Sequence, residues 1–132
     1  MPAETIEQLI EAARAARARA HAPFSRFKVG AAVEDDDGRI YSGSNVESAS
    51  YGLTMCAERV AVFRAISEGA SKLVRIAVVA DTEQLTPPCG ACRQVLWEFL
   101  GDGELILANL SGATEKLRIG QIFPQPFDRS FL

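Results

Sequence analysis

The segment that most constrains the fold is Leu73–Ala80, which is almost continuously apolar and rich in β-branched residues. A run of this kind is typical of a strand that is covered on both faces of a sheet. A second buried run, Leu105–Ala108, follows a helical pattern that extends from Cys89 or Gly90 to about Leu100. Two buried strands joined by a helix predict parallel neighbours connected by a right-handed crossover.

The other segments predict what surrounds these two strands. Apolar residues at helical spacing predict a helix from residue 5 to about residue 20 and another from Cys56 to Gly69. The three remaining strand predictions are Phe27–Glu34 and Arg39–Ser42, which form a hairpin, and Glu115–Ile119. The order α-β-β-α-β-α-β-β therefore predicts an α/β fold in which helices cover a five-stranded mixed sheet.

Composition limits the size of the fold and the class of partner. A chain of 132 residues and 14.3 kDa predicts a single domain over residues 1–132. Seventeen acidic against fourteen basic residues give a net charge of −3, which favours a small neutral ligand over a nucleic acid. No apolar run approaches the roughly 20 residues of a membrane span, and the first residues carry charges where a signal peptide would be apolar. We therefore expect a cytoplasmic protein with no membrane partner.

The three cysteines all fall where a helix is predicted to begin. Cys56 opens one helix, and Cys89 and Cys92 flank the start of the next. A helix N-terminus lowers the pKa of a thiol and favours the thiolate, which is the form that binds metals. Three cysteines cannot all pair within one chain, which leaves inert core thiols, a redox pair or metal ligands as the alternatives.

An acidic residue two positions after Cys56 favours metal ligands over core thiols or a redox pair. Three thiolates leave the fourth position of a tetrahedral zinc ion for water, as in catalytic rather than structural zinc sites. Glu58, two residues after Cys56, would then carry protons, although an acid in the first turn of a helix could also only complement the helix dipole. Cys56-Ala57-Glu58 and Pro88-Cys89-Gly90-Ala91-Cys92 together match the three-cysteine version of the zinc deaminase signature.

Longer motifs extend this match from Ala22 to Phe127. They are Ala22-Pro23-Phe24-Ser25-Arg26-Phe27, Val29-Gly30-Ala31, Asn45-Val46-Glu47, the segment Tyr51 to Arg59, and Pro88 to Val95. In these motifs the chain resembles the small, homotetrameric, three-cysteine cytidine deaminases. The resemblance implies the deaminase fold, a three-layer arrangement with the sheet between helices. It also implies one Zn²⁺ per subunit and a homotetramer with sites at subunit interfaces.

The resemblance also implies a role for each matching residue. Zinc would be bound by Cys56, Cys89 and Cys92, Glu58 would shuttle protons, and Arg59 would hydrogen-bond the thiolates. Asn45 and Glu47 would hold the ribose hydroxyls, Phe27 would stack on the pyrimidine, the backbone at Ala57 would contact the base, and Phe127 would reach into a neighbouring subunit's site. Phe24, Ser44 and Ser48 depart from the family pattern. None of them matches a zinc ligand or the acid, so these departures bear on hydrogen bonds at subunit interfaces rather than on the chemistry.

The function implied is hydrolytic deamination of cytidine and 2′-deoxycytidine to uridine and 2′-deoxyuridine, with release of ammonia, in pyrimidine salvage. One alternative is a deaminase of another cytosine nucleoside such as blasticidin S, whose deaminases share the zinc motifs. A polynucleotide deaminase is disfavoured by the acidic charge and by the absence of insertions for gripping a strand. A non-catalytic zinc-stabilised binding module is disfavoured by Glu58, which such a module would not need.

Overall fold

The computed structural model describes residues 3–132 and contains one mixed sheet. Its strands are β1 (Val29–Asp35), β2 (Ile40–Ser44), β3 (Leu73–Ala80), β4 (Glu104–Ala108) and β5 (Thr114–Arg118). They lie in the order β2-β1-β3-β4-β5. Only β3 and β4 are parallel, and the other neighbouring pairs are antiparallel. The predicted five-stranded mixed sheet is therefore confirmed, as is the parallel pairing of the two apolar runs.

Helices cover both faces of this sheet. The helices are α1 (Ala3–Arg17), α2 (Ala57–Ser67), α3 (Gly90–Leu100) and α4 (Ile119–Ile122), and 3-10 turns lie at Tyr51–Leu53 and Arg129–Phe131. Side chains alternate between the two faces along each strand. Val33 and Val78 pack with α2 and α3 in one core, whereas Ala32 and Val79 pack with α1 in the other. The result is the predicted three-layer arrangement.

Two glycines allow the outer layers to approach the sheet closely. A Cβ atom on Gly30 of β1 would lie 1.9 Å from the carbonyl oxygen of Ala13 in α1. A Cβ atom on Gly43 of β2 would lie 2.6 Å from the backbone nitrogen of Ala61 in α2. The helices therefore rest directly on the strand backbone at these points, which fixes where α1 and α2 sit on the sheet.

Several predicted boundaries differ from the structure. The first helix is Ala3–Arg17 rather than residues 5 to about 20, because Ala3 and Glu4 are good helix formers and continue the pattern upstream. Phe27 precedes β1 rather than beginning it. The predicted order of elements ends with the strand Glu115–Ile119, whereas the structure continues with α4 and a final 3-10 turn. None of the helices in residues 3–132 is long and apolar enough to cross a membrane.

Candidate active site

The three cysteines meet where α2 and α3 begin. Cys56 and Cys89 are the N-cap residues of α2 and α3, and Cys92 lies in the first turn of α3. Their sulfur atoms all lie within 4.8 Å of one another, and the Sγ atoms of Cys56 and Cys89 are 3.8 Å apart. Two sulfurs that bind a tetrahedral zinc ion at about 2.3 Å are themselves about 3.8 Å apart. The donor set and its spacing therefore fit zinc.

The surroundings of this cluster favour negative charge on the sulfur of Cys56. Hydrogen bonding with Cys92 lowers the pKa of the Cys56 thiol to about 5, and hydrogen bonds with Arg59 and Cys89 add to the effect against the opposing influence of burial. The Arg59 Nη2 atom lies 3.6 Å from the Cys56 sulfur. The same hydrogen bond with Cys56, together with burial, raises the pKa of Cys92. The proton shared between the Cys56 and Cys92 thiols therefore stays on Cys92, and a bound metal cation would displace it.

Glu58 is the second residue of α2, and its side chain is buried at the wall of a cavity. The residue is 5% exposed, and burial raises the pKa of its carboxyl group to about 7, with a further contribution from the charge on Cys56. A carboxyl group with a pKa near neutrality can both accept and release a proton at physiological pH. This property is what a proton carrier requires.

The cavity beside Glu58 and the thiols has a volume of about 240 Å³. It is lined by Phe27, Val29, Asn45, Thr54, Met55, Cys56, Ala57, Glu58, Val78, Thr86, Pro87 and Cys89. A second cavity of about 310 Å³ is lined by Phe24, Ser25, Glu47, Tyr51 and Thr54. Because Thr54 lines both, the two cavities adjoin, and the reactive groups lie in the inner one.

Comparison with known proteins places this arrangement in a family. Residues 3–108 match the family described as the cytidine and deoxycytidylate deaminase zinc-binding region. The chain belongs to this family. Its relatives include the cytidine deaminase of Halalkalibacterium halodurans, which is 49% identical over 92% of this chain and 92% of the relative. The cytidine deaminase of Mycobacterium tuberculosis is 44% identical over 85% of this chain and 81% of that one.

Solved structures of the family share the fold. The crystal structure of cytidine deaminase from Burkholderia pseudomallei matches with a TM-score of 0.89 and 47% identity, and covers 92% of this chain and 98% of that one. A blasticidin-S deaminase from Bacillus cereus is more distant, at 26% identity over 80% of this chain and 81% of the relative. The predicted membership of the zinc deaminases and the predicted fold are therefore confirmed. The zinc-binding family and the three-thiol cluster agree on one zinc ion per chain.

Within this deaminase, the residues predicted for the site divide into three groups. Phe27, Asn45, Ala57 and Glu58 line the inner cavity together with Cys56 and Cys89, while Cys92 is buried in the thiol cluster. Glu47 lines the outer cavity. Phe127 lines neither cavity, and its ring is 59% exposed.

Asn45 and Glu47 both hold the segment that carries Phe27. The Asn45 Oδ1 atom accepts a hydrogen bond from the Val29 backbone nitrogen at 2.9 Å, and its Nδ2 atom donates to the Phe27 carbonyl oxygen at 2.8 Å. The Glu47 Oε1 atom accepts hydrogen bonds from the backbone nitrogens of Phe24 and Ser25 at 3.0 and 3.1 Å. These two side chains therefore shape the cavity wall in addition to facing the cavities.

Ser25 links Glu47 to Phe27 and was not among the predicted site residues. Its hydroxyl group donates a hydrogen bond to Glu47 Oε2, and its Oγ atom accepts one from the Phe27 backbone nitrogen at 3.0 Å. The Ser25 hydrogen bond is the main reason why the pKa of Glu47 lies below its usual value. The next residue, Arg26, has a φ of 61°, a left-handed conformation that is costly for a side chain of this size. The hydrogen bonds of Ser25 and Glu47 hold the segment in this shape.

Sequence reasoning missed other residues that line the inner cavity. Thr54 and Met55 directly precede Cys56, and Thr86 and Pro87 precede the Pro-Cys-x-x-Cys motif, so their positions next to the motifs were an available signal. Val78 gave no such signal, because an apolar residue in a buried strand is indistinguishable from ordinary core in the sequence.

Proposed function

We propose that this chain catalyses the hydrolytic deamination of cytidine and 2′-deoxycytidine to uridine and 2′-deoxyuridine with release of ammonia. The observation that carries the proposal is the convergence of a three-sulfur cluster and a buried carboxyl group, Glu58, on one cavity. Relatives at 49% and 44% identity that bear the name cytidine deaminase support the same substrate class. The whole chain, residues 1–132, would form a single deaminase domain.

Cys56, Cys89 and Cys92 would hold the zinc ion. When bound, zinc supplies a Lewis acid that lowers the pKa of a coordinated water molecule towards neutrality. Arg59 compensates the negative charge of the thiolates through its hydrogen bond to Cys56. The two helix N-termini at Cys56 and Cys89 contribute in the same direction.

Glu58 would move the protons of the reaction. Its carboxylate accepts a proton from the attacking water and donates it to the ring nitrogen N3 of the pyrimidine, which makes C4 electrophilic. After the water oxygen has added to C4, Glu58 accepts the remaining proton of that oxygen and transfers it to the exocyclic amino group. The C4–N bond then breaks to release ammonia, and the oxygen stays on C4 as the carbonyl of the product. The overall change is one water consumed and one ammonia released. Burial keeps the carboxyl group in place for both transfers and raises its pKa into the working range.

Other cavity residues would bind and orient the nucleoside. Phe27 would stack on the pyrimidine, and the backbone at Ala57 would hydrogen-bond the base. Asn45 and Glu47 would hold the ribose hydroxyls, with Asn45 using the hydrogen-bonding capacity that the Phe27–Val29 backbone leaves free. Phe127, which lies outside its own chain's cavity, would contact the nucleoside bound to a neighbouring subunit.

The biological setting follows from the same proposal. We infer a homotetramer with sites at subunit interfaces, a cytoplasmic location and a role in pyrimidine salvage. The exposed aromatic and aliphatic side chains Phe24, Tyr51 and Leu53 next to the outer cavity support contact between subunits. The net charge of −3 supports a free nucleoside rather than a nucleic acid as substrate.

The test is ultraviolet absorbance of cytidine incubated with the purified, zinc-loaded protein, with uridine and ammonia identified as products. We expect conversion at enzymatic rates, and none with the protein carrying Glu58→Ala. Blasticidin S and a cytosine-containing single-stranded oligonucleotide serve as alternative substrates. Faster deamination of either alternative, or no conversion of cytidine by folded and zinc-bound protein, would contradict the proposal.

A further inference from the structure

The last ten residues of the chain return to α3 and are fastened to it by side-chain hydrogen bonds. We call residues 123–132 the tail. The Arg93 Nη1 atom donates to the Ile122 carbonyl oxygen at 2.9 Å, directly before the tail begins. The Gln94 Nε2 atom donates to the Phe127 carbonyl oxygen at 2.7 Å, and the Trp97 Nε1 atom donates to Asp128 Oδ2 at 2.9 Å. These donors lie within five consecutive residues of α3.

The Asp128 carboxylate joins two parts of the tail. While Oδ2 accepts the hydrogen bond from Trp97, Oδ1 accepts hydrogen bonds from the backbone nitrogen and the hydroxyl of Ser130 and so caps the final 3-10 turn. That turn brings the ring of Phe131 parallel to the ring of Phe127, with centroids 5.6 Å apart and an angle of 10° between the planes. Asp128 therefore controls both the backbone after Phe127 and the ring that supports it.

The two rings are fixed but not buried. Phe127 is 59% exposed and Phe131 is 69% exposed, so neither ring gains much from packing within its own chain. An aromatic ring held in one orientation on a surface contributes contact area at low entropic cost when a ligand or partner meets it. The hydrogen bonds to α3 thus prepare Phe127 for a contact outside its own chain.

We propose that Trp97 and Asp128 are positioning residues whose hydrogen bond fixes the tail so that Phe127 presents its ring to the nucleoside site of a neighbouring subunit. This inference rests on the proposed function, in which Phe127 makes that contact. Hydrogen bonds that involve an ionised carboxylate are stronger than neutral ones. The hydrogen bonds from Ser130 and Trp97, with Ser130 the larger influence, keep the pKa of Asp128 below its usual value, which maintains the charged form.

The test compares steady-state kinetics with cytidine for the full-length variants Phe127→Ala, Trp97→Phe, Asp128→Ala and the double variant Trp97→Phe/Phe127→Ala. Trp97→Phe removes the N–H donor but keeps an aromatic ring. We expect each single variant to raise KM about tenfold, the effect of losing one hydrogen bond or contact, with kcat within about twofold of wild type. The double variant should have the same KM as Phe127→Ala, because the Trp97–Asp128 hydrogen bond affects the nucleoside only by positioning the Phe127 ring.

A spectroscopic measurement follows the tail independently of activity. Trp97 is the one tryptophan of the chain, so its indole N–H gives a single resolved NMR signal. Asp128→Ala should shift this signal and accelerate its hydrogen exchange, whereas Phe127→Ala should leave it in place. Glu98→Ala is the matched control, since it removes an exposed carboxylate from the same helix. Thermal unfolding and light scattering check that all variants keep their fold and assembly.

The outcomes separate this inference from the function on which it rests. If wild-type protein forms no uridine, the proposed function is wrong, and the tail inference falls with it. If Phe127→Ala raises KM but Trp97→Phe and Asp128→Ala do not, only the positioning role is overturned. Additive effects in the double variant, or a fall in kcat with unchanged KM, would also contradict it, because they would indicate a general structural role for Trp97.

Discussion

Glu58 combines two properties that rarely occur together, because its side chain is ionisable and yet almost completely buried. Burial of this carboxyl group costs free energy because it penalises the charged form, so its presence in the cavity wall indicates a functional role. Its position in the first turn of α2 ties it to Cys56, which caps the same helix. One short stretch of backbone therefore positions both a thiol of the zinc cluster and the carboxyl group that we propose as the proton carrier.

Replacing Glu58 by Gln should strongly reduce turnover without affecting metal binding. The amide has nearly the same shape but cannot accept and release a proton, so we expect kcat to fall by about 10²- to 10⁴-fold, the usual contribution of a general acid–base group. Zinc content by atomic absorption and the rate of uridine formation are the two measurements. A variant that keeps zinc and near-normal turnover would show that another group carries the protons.

Removing the Ser25 hydroxyl should weaken nucleoside binding through Phe27. Ser25→Ala leaves the Phe27 backbone nitrogen and Glu47 Oε2 each without one partner. A single neutral hydrogen bond contributes about 1 kcal/mol, so we expect KM for cytidine to rise roughly fivefold. Ser25→Thr retains the hydroxyl and is the matched control. Equal KM values for the Ala and Thr variants would mean that the hydroxyl does not position Phe27.

At the scale of elements, the position of each helix on the sheet is set by backbone contact. Helix α1 lies against β1 at Gly30, and α2 lies against β2 at Gly43. Since α2 also carries Cys56 at its N-terminus, its position on β2 determines where the thiol meets the two cysteines of α3. Small residues in the sheet thus control the geometry of a metal site at one end of the helices.

Gly30→Ala should strongly destabilise the fold. The added methyl group would lie 1.9 Å from the Ala13 carbonyl oxygen and 2.5 Å from the Arg17 backbone nitrogen, so α1 would have to move. We expect a loss of about 3 kcal/mol or more in the free energy of unfolding, measured by urea denaturation. Gly52→Ala is the control, because no atom lies within 4 Å of its added carbon. A similar stability for both variants would contradict the close contact between α1 and β1.

The sequence predicted the elements that depend on local pattern and missed those that depend on distant partners. Leu73–Ala80 was predicted correctly because a run that is short, apolar and rich in β-branched residues favours a buried strand over a helix. The cysteines were correctly predicted at helix starts because both motifs directly follow loop segments. The α4 turn and the final 3-10 turn are short and depend on hydrogen bonds from α3. The local sequence pattern contains no sign of these hydrogen bonds. The partners of Asn45 and Glu47 lie 16 to 23 residues away for the same reason.

For the whole molecule, zinc would connect two helices whose N-termini come from distant parts of the sequence. The thiols on α2 and α3 lie together although Cys56 and Cys89 are 33 residues apart. A ligand that binds only the folded chain stabilises it in proportion to the logarithm of its concentration over its Kd. The metal is therefore expected to contribute to the stability of the fold as well as to the chemistry.

Removing zinc with a chelator should lower the melting temperature. At free zinc about a thousandfold above its Kd, the stabilisation amounts to about 4 kcal/mol, so the shift should be readily visible by circular dichroism. Added zinc should restore the original transition, and magnesium, which prefers oxygen ligands, should not. An unchanged melting temperature after verified zinc loss would show that zinc binding contributes nothing to the stability of the fold.

A charged residue at the exposed face near the outer cavity should disrupt assembly. Leu53 is 73% exposed and Tyr51 is 75% exposed, so Leu53→Glu should not unfold the chain but should oppose burial between subunits. By light scattering we expect wild type at about four times the 14.3 kDa chain mass and a smaller species for Leu53→Glu. Ser71→Glu, an exposed change on the loop after α2, is the control. A wild-type monomer with full activity would contradict the tetramer.

The outer strand β5 has a consequence for solution behaviour. It pairs with β4 on one side only, and its exposed positions include Glu115, Lys116 and Arg118. An open strand edge is a template on which other chains can add strands and start fibrils. Three of the five residues of β5 are charged and exposed, and their side chains would lose water if another strand paired there, so they protect this side of the sheet against aggregation.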